Sequence, residues 1–593
     1  MKKPFRISRI LFAAALLLGA FVLIVTLSGA PTDNPDVSLS PYFQVNGAEA
    51  GVDALPLKST QVDAVIAGVI AEVRVVQTYE NDGSTPLEAR YIFPASTRAA
   101  VHGMTMTVGE RRIEAQIKEK EEARKTYETA KREGKTASLL ESHRGNVFEM
   151  NIANILPGDT VTVELRYNEL ITPDEGQYEW IFPTVVGPRY TRASANPEVQ
   201  SPESVVPIPY TKNRGAETEP VFSLNVDVLS GSRVKKVTCV SHNVETASID
   251  GGVRVTLPPS EDAAMNRDFI LRYKLAGDAL TSGLFFDEFK GEKYFLLTVQ
   301  PPARVEPSSV PPRDYLFVMD VSGSMWGFPL KISTALLREL LLNLREQDTF
   351  NVLLFSGSSR TLFDTPAAAT PENIAQTLAL FEEGQKYDDY GGGTELLPAL
   401  KRALSMPRAQ TGASRNIVVM TDGYVDVEAE AYALVRQNLG DANLFAFGIG
   451  TAVNRELMER LARAGKSEAV IVEGERNAAA AAEKFRKMIE TPVLTHVRAS
   501  IGSPLSPESE VQSPMPDVLS QRPIILCAKW PEGVDAQSGV IHISGQSATG
   551  PWSADMRASD AINLNGRGTL ALLWARERLW DLKDLHAEHV ETD

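Results

Sequence analysis

Between residues 314 and 490 the chain alternates short apolar runs with longer amphipathic stretches, and that rhythm leaves few folds open. "DYLFVMD", "DTFNVLLFS", "NIVVMTDG", "NLFAFGIG" and "EAVIVEG" are brief and almost wholly aliphatic or aromatic at their centres. Between most of them lie "KISTALLRELLLNL", "PENIAQTLALF", "LLPALKRAL", "EAYALVRQNL" and "RELMERLARAG", which have helical spacing. A strand covered on both faces shows no polar alternation. The pattern therefore predicts a doubly wound α/β domain with a mostly parallel sheet and helices on both faces. The helix "AAAAAEKFRKMIE" closes it near residue 490.

Ligands of such sheets bind beyond the carboxyl ends of the strands, and three predicted strand ends carry unusual chemistry. "MDVSGSMWG" puts Asp320, Ser322 and Ser324 at alternate positions where the first strand stops. "YGGGTELL" puts Thr394 after three glycines and before a helix, and "VVMTDGY" puts Thr421 and Asp422 at the end of another strand. Asp320, Ser322, Ser324, Thr394 and Asp422 make an all-oxygen set of two carboxylates and three hydroxyls. Hard divalent cations take oxygen, and magnesium takes six ligands. Five side chains, some acting through water, leave a position that an outside carboxylate fills. Gly323 is expected to give the first loop its freedom, and Asp422 to act through a water. Each piece has an ordinary reading when taken alone: Ser-x-Ser as a helix cap, Asp-Gly as a turn, and three glycines as a flexible loop. Their coincidence at the ends of one sheet points to a metal site.

The rest of the chain reads as further domains, as its 593 residues require. Residues 31–54 are polar and read as a tether. From 55 to 185 the pattern is strand-like, with "NDGS" and "PGD" turns and one charged helix at 118–135 whose Glu and Lys are interleaved, a solvated face. Residues 186–300 stay β-rich. Their runs "VFSLNVDVL" and "YFLLTVQ" need burial, and the strands after 493 are the expected partners. Residues 301–313 hold five prolines and read as a stiff linker. Residues 491–593 read as strands followed by the helix "RGTLALLWARERLWDLKDLHAEH".

Composition and the N-terminus bound the setting. The net charge is −16 with no basic stripe, which argues against nucleic acid. Cys239 and Cys527 are the only cysteines, and two unpaired buried thiols are expected rather than a disulfide framework. Lys2, Lys3, Arg6 and Arg9 precede an uncharged run at 10–27. The expectation is a membrane anchor within residues 1–30, with the bulk of the chain outside the cytoplasm. The alternative is a signal cleaved after Ala30 and secretion. "GIGTAVNREL" lacks the third glycine of a dinucleotide loop, no Gly-x-Ser-x-Gly occurs, and His586 and His589 lack partner ligands. No catalytic residue is assigned.

The segment 314–490 resembles a von Willebrand factor type A (VWA) domain, whose metal-ion-dependent adhesion site has the order Asp-x-Ser-x-Ser, Thr, Asp. The resemblance implies metal binding by Asp320, Ser322, Ser324, Thr394 and Asp422, with magnesium, manganese or calcium as the ion. It also implies partner binding rather than catalysis, the partner being a protein that presents an acidic side chain. "QTYEND", "EARYIFP", the 118–135 helix and "NILPGDTVTVELRY" resemble the vault protein inter-alpha-trypsin (VIT) domain, which commonly precedes a VWA domain, as in inter-alpha-trypsin inhibitor heavy chains and in many exported bacterial proteins. The helix "LALLWARERLWDL" resembles a segment that usually continues in those relatives, so a shortened relative is expected. The reading is a multidomain binding protein of the cell envelope, held in the inner membrane by its N-terminal helix. The alternative is an envelope maturation factor or enzyme-associated scaffold with a vestigial metal site.

Overall fold

The computed structural model describes residues 40–46, 55–95, 99–114, 138–144, 147–171, 173–174, 176–184, 221–230, 234–258, 267–275, 279–302, 304–381, 393–410, 412–423, 428–450, 453–503, 506–512, 515–564 and 566–586. The expected anchor at 10–27, the charged helix at 118–135 and His589 lie outside these residues. Among the described residues no helix is long and apolar enough to cross a membrane.

Alternation shapes the N-terminal half. In the strand Ile70–Glu80 the inward residues Val73, Val75 and Tyr79 are buried while their neighbours are half-buried. That strand lies near the middle of an eight-stranded sheet whose inner face packs on a four-stranded sheet containing Leu87–Pro94 and Val147–Ile155. The "NDGS" and "PGD" turns meet at one corner. Asn81 N–H donates to the Asp159 carbonyl (3.0 Å), and Gly158 N–H donates to the Asn81 carbonyl (2.9 Å). Gly158 has φ +80°, a conformation that favours glycine.

Two sequence boundaries move. Tyr42–Val45, assigned to the polar tether, forms a strand paired with Leu87–Pro94. Phe43 drives this by fitting edge-on between Tyr79 and Tyr91, with ring centroids 4.8 and 5.1 Å away. The proline-rich stretch is tacked down rather than free. Arg345 donates to the carbonyls of Val310 (3.1 Å) and Pro311 (2.6 Å), and Arg313 already opens the first strand of the next domain.

The stretch 186–300 also divides. Val221–Leu229 does not seek the later strands; it runs parallel to Leu57–Ala67 and extends the eight-stranded sheet. Glu292–Gln300 does meet the later chain, pairing antiparallel with Ile524–Lys529. Phe295, Leu297 and Val299 share a core with Leu494, Ile501, Ile541 and Ile543, so chain from before and after the α/β domain forms one body. The helix Thr569–His586 docks across it. Asn168 donates to the Thr569 carbonyl (3.4 Å), Thr569 Oγ1 donates to Glu72, and Leu570 N–H donates to the buried Asp287 (3.4 Å). Cys239 is half-buried and Cys527 buried, and both are free thiols.

The α/β domain is doubly wound. Its sheet runs in the order Ser359–Thr361, Thr349–Phe355, Arg313–Asp320, Ser414–Thr421, Asn443–Ile449 and Ala469–Val472, and its five long strands are parallel. The first strand, Arg313–Asp320, is buried throughout and sends alternate residues to opposite faces. Tyr315, Phe317 and Met319 pack with residues of the helices Phe328–Leu342 and Glu475–Ile489. Leu316 and Val318 pack with residues of Leu396–Ser405, Glu428–Asn438 and Arg455–Ala464. This double cover accounts for the unbroken apolar runs of the sequence.

Candidate metal site at the carboxyl edge of the parallel sheet

Asp320 ends the central strand, between Phe355 on one neighbour and the Met420–Thr421 end of the other. Its side chain is fully enclosed at 0% exposure. Oδ1 accepts the Ser322 backbone N–H at 2.9 Å, and Oδ2 accepts the Thr421 hydroxyl at 2.6 Å. Among the described residues it has no basic partner. Burial pushes its carboxyl above the usual range, the Asp422 charge adds to this, and the hydrogen bonds from Thr421 and Ser322 pull it back.

The chain then turns through a short 3-10 segment, Gly323–Met325. Ser322 holds the cap position of that segment, yet its side chain makes no capping bond; its Oγ lies 3.2 Å from Ser324 Oγ. The following helix is capped by Gly327 without any side-chain bond. The simple capping explanation for the two serines therefore fails. Ser322 is buried, while Ser324 and Trp326 are exposed at the mouth. The expected role of Gly323 is not seen. Its φ is not positive, and a Cβ there would meet nothing within 4 Å. The glycine that the turn requires is Gly327, at φ +83°.

Thr394 reaches this edge by a second loop. Glu395 N–H donates to the Ser356 carbonyl at 2.7 Å, joining that loop to the end of the strand beside Asp320. The cap of the next helix is Glu395, so Thr394 is not used as its cap. Asp422 stands on a third loop, next to Thr421. Its carbonyl accepts Asn454 N–H at 3.2 Å, and its Cβ lies 3.6 Å from the position a Cβ would take on Gly450.

All five sequence-assigned residues thus stand on the three loops at one edge, with Asp320, Ser322 and Ser324 in direct contact. Thr421 was left out of the assigned set although it grips Asp320 directly. Its signal was present in "MTDG", but its partner depends on strand register. Among the described residues no cluster of three or more His, Cys, Asp or Glu could hold a metal. The oxygen-only chemistry, the unused serine caps and a buried acid without a cation fit a hard divalent ion.

Comparison with known proteins places the two domains. Residues 57–167 match the vault protein inter-alpha-trypsin domain, and residues 314–470 match the von Willebrand factor type A domain. The chain carries a VIT domain followed by a VWA domain. Inter-alpha-trypsin inhibitor heavy chain H2 of Sus scrofa is 24% identical over 532 residues, 86% of this chain and 54% of its own. The von Willebrand factor A domain-containing protein 5A of Rattus norvegicus is 27% identical over 456 residues, 71% of this chain and 53% of its own. Protein mono-ADP-ribosyltransferase PARP4 of Mus musculus is 25% identical over 434 residues, 73% of this chain and 21% of its own. The chain spans less than two thirds of the length of each. VWA domains typically mediate protein interactions or adhesion.

Proposed function

We propose that the VWA domain holds a divalent cation of the magnesium class through Asp320, Ser322, Ser324, Thr394 and Asp422, and that the ion captures an acidic side chain of a protein partner. The observation that carries this reading is Asp320, a fully buried carboxylate held only by neutral donors beneath a hydroxyl-bearing loop that opens at the exposed Ser324. A buried charge is costly unless paired, and a bound dication supplies the missing charge. With only two acids in the set, the ion keeps positive charge for an outside carboxylate. The role is recognition, and no group of the chain is assigned to catalysis. We place the chain outside the cytoplasm, tethered to the membrane of the cell envelope through residues 10–27. The mature N-terminus, read by mass spectrometry, tests that placement, because a chain beginning at Pro31 removes the tether.

The site is tested by titration calorimetry of the full chain with magnesium or manganese chloride. Wild type is expected to bind one ion and Asp320→Ala none. Equal affinity in the two proteins overturns the site. Metal binding without chelator-sensitive capture of acidic partners from an envelope extract keeps the site and removes its purpose.

A further inference from the structure

Thr421 joins the two carboxylates of the proposed site. It is fully buried at the end of the strand Ser414–Thr421, with 0% exposure. Gly423 N–H lies 3.0 Å from its Oγ1, and Asp320 Oδ2 lies 2.6 Å from the same atom. A backbone amide only donates, so the hydroxyl accepts from Gly423; an ionised carboxylate only accepts, so the hydroxyl proton goes to Asp320. The direction of both bonds is thereby fixed.

The residue between Thr421 and Gly423 is Asp422. Its short loop is held on both sides: Gly423 N–H binds Thr421 Oγ1, and the Asp422 carbonyl accepts Asn454 N–H. Gly423 has φ +74°, and a Cβ there would sit 3.2 Å from Asn454 Cβ, so the turn has little room to relax. One hydroxyl thus ties the first carboxylate to the turn that carries the second. Asp320 takes only neutral donors, from Thr421 and Ser322, and keeps lone pairs for an ion.

We propose that Thr421 is a positioning residue of the metal site: it never touches the ion, but sets metal affinity by orienting Asp320 and fixing the Asp422 turn against it. This rests on the metal reading above. Loss of a hydrogen-bonding partner behind a metal ligand typically weakens binding about 10- to 100-fold. Thr421→Val keeps the shape and removes the hydroxyl, whereas Thr421→Ser keeps the hydroxyl and removes a methyl.

The experiment is calorimetry of the full chain with manganese chloride for wild type, Thr421→Val, Thr421→Ser and Asp320→Ala, with circular dichroism as the check on folding. Thr421→Val is expected to bind about 10- to 100-fold more weakly, and Thr421→Ser close to wild type. Wild-type affinity in Thr421→Val overturns the inference and leaves the site standing. Equal weakening in Thr421→Ser also overturns it, because the methyl and not the hydroxyl then matters. Should Thr421→Val fail to fold, Thr421→Cys, whose thiol is a poor donor, replaces it under the same criteria. Absence of binding in wild type removes the metal reading and the inference together.

Discussion

The two edges of the VWA sheet treat their acids in opposite ways. At the amino edge Asp348 is fully buried and takes charged hydrogen bonds from Arg313 and Arg345, and Asp314 lies 3.4 Å from Arg415. At the carboxyl edge Asp320 is just as enclosed and receives only neutral donors, from Ser322 and Thr421. A charge enclosed with its counter-charge belongs to the fold. A charge enclosed without one stands ready for a ligand. Asp517 qualifies the contrast. It lies on the amino edge, bonded only by Ser414 (2.6 Å) and Asn443 (3.0 Å), so neutral donors alone do not define a site. Asp517 is buried at 2% exposure, whereas the Asp320 loop opens at the exposed Ser324.

The sharpest way to break the comparison is Asp348→Ala. It strands Arg313 in a buried place and is expected to cost about 3–5 kcal/mol, read from urea unfolding of the full chain. A cost near zero would erase the distinction between the edges. Next comes the ligand effect at the other edge. Magnesium at 100 times its dissociation constant is expected to stabilise wild type by about 2.7 kcal/mol and Asp320→Ala not at all, read as a shift in thermal midpoint.

Asp517 gives a pH test of similar size. Burial pushes its carboxyl up to about 6 from an ordinary 3.8. The folded chain then holds a proton that the unfolded chain has released, so stability is fully present below the ordinary value and falls as pH rises toward 6. The fall is worth about 3 kcal/mol at most, and Asp517→Asn is expected to flatten it in urea midpoints taken from pH 4 to pH 7. Asp348 has the opposite sign. Burial raises its pKa, but Arg313 and Arg345 outweigh that and hold it low, so its contribution is lost as pH falls. The smallest effect is at the mouth. Trp326→Ala, at a side chain 61% exposed, is expected to change stability by less than about 0.5 kcal/mol and to leave metal affinity unchanged.

Much of the VWA fold was legible because its signals are local. The helix at 331–344 is found at Phe328–Leu342, and "DYLFVMD" ends at Asp320 as its apolar run does. What stayed hidden depends on which segments become neighbours. Tyr42–Val45 is four residues long, too short to show a period, and only the slot between Tyr79 and Tyr91 makes it a strand. "VFSLNVDVL" announced a strand but not its parallel partner at Leu57–Ala67. The place of the five assigned residues on loops at one edge of the sheet could be read from spacing. Thr421 could not, because its grip on Asp320 depends on the register that sets Met319 beside Met420. Gly323 and Gly327 look alike in sequence, and only the backbone angles show which one the turn requires.

Arg313, met above as a buried partner of Asp348, also donates at 2.8 Å to the carbonyl of Glu490. The first and last residues of the VWA domain therefore touch. The strands Glu292–Gln300 and Ile524–Lys529 are far apart along the chain, and joining them from the unfolded state closes a very long loop. That cost grows with the logarithm of loop length. Once the VWA domain is folded, Arg313 and Glu490 shorten the loop to little more than the connecting segments, and the whole domain serves its host sheet as a turn serves a hairpin. A folded inserted domain thus lowers the closure cost of the sheet that receives it.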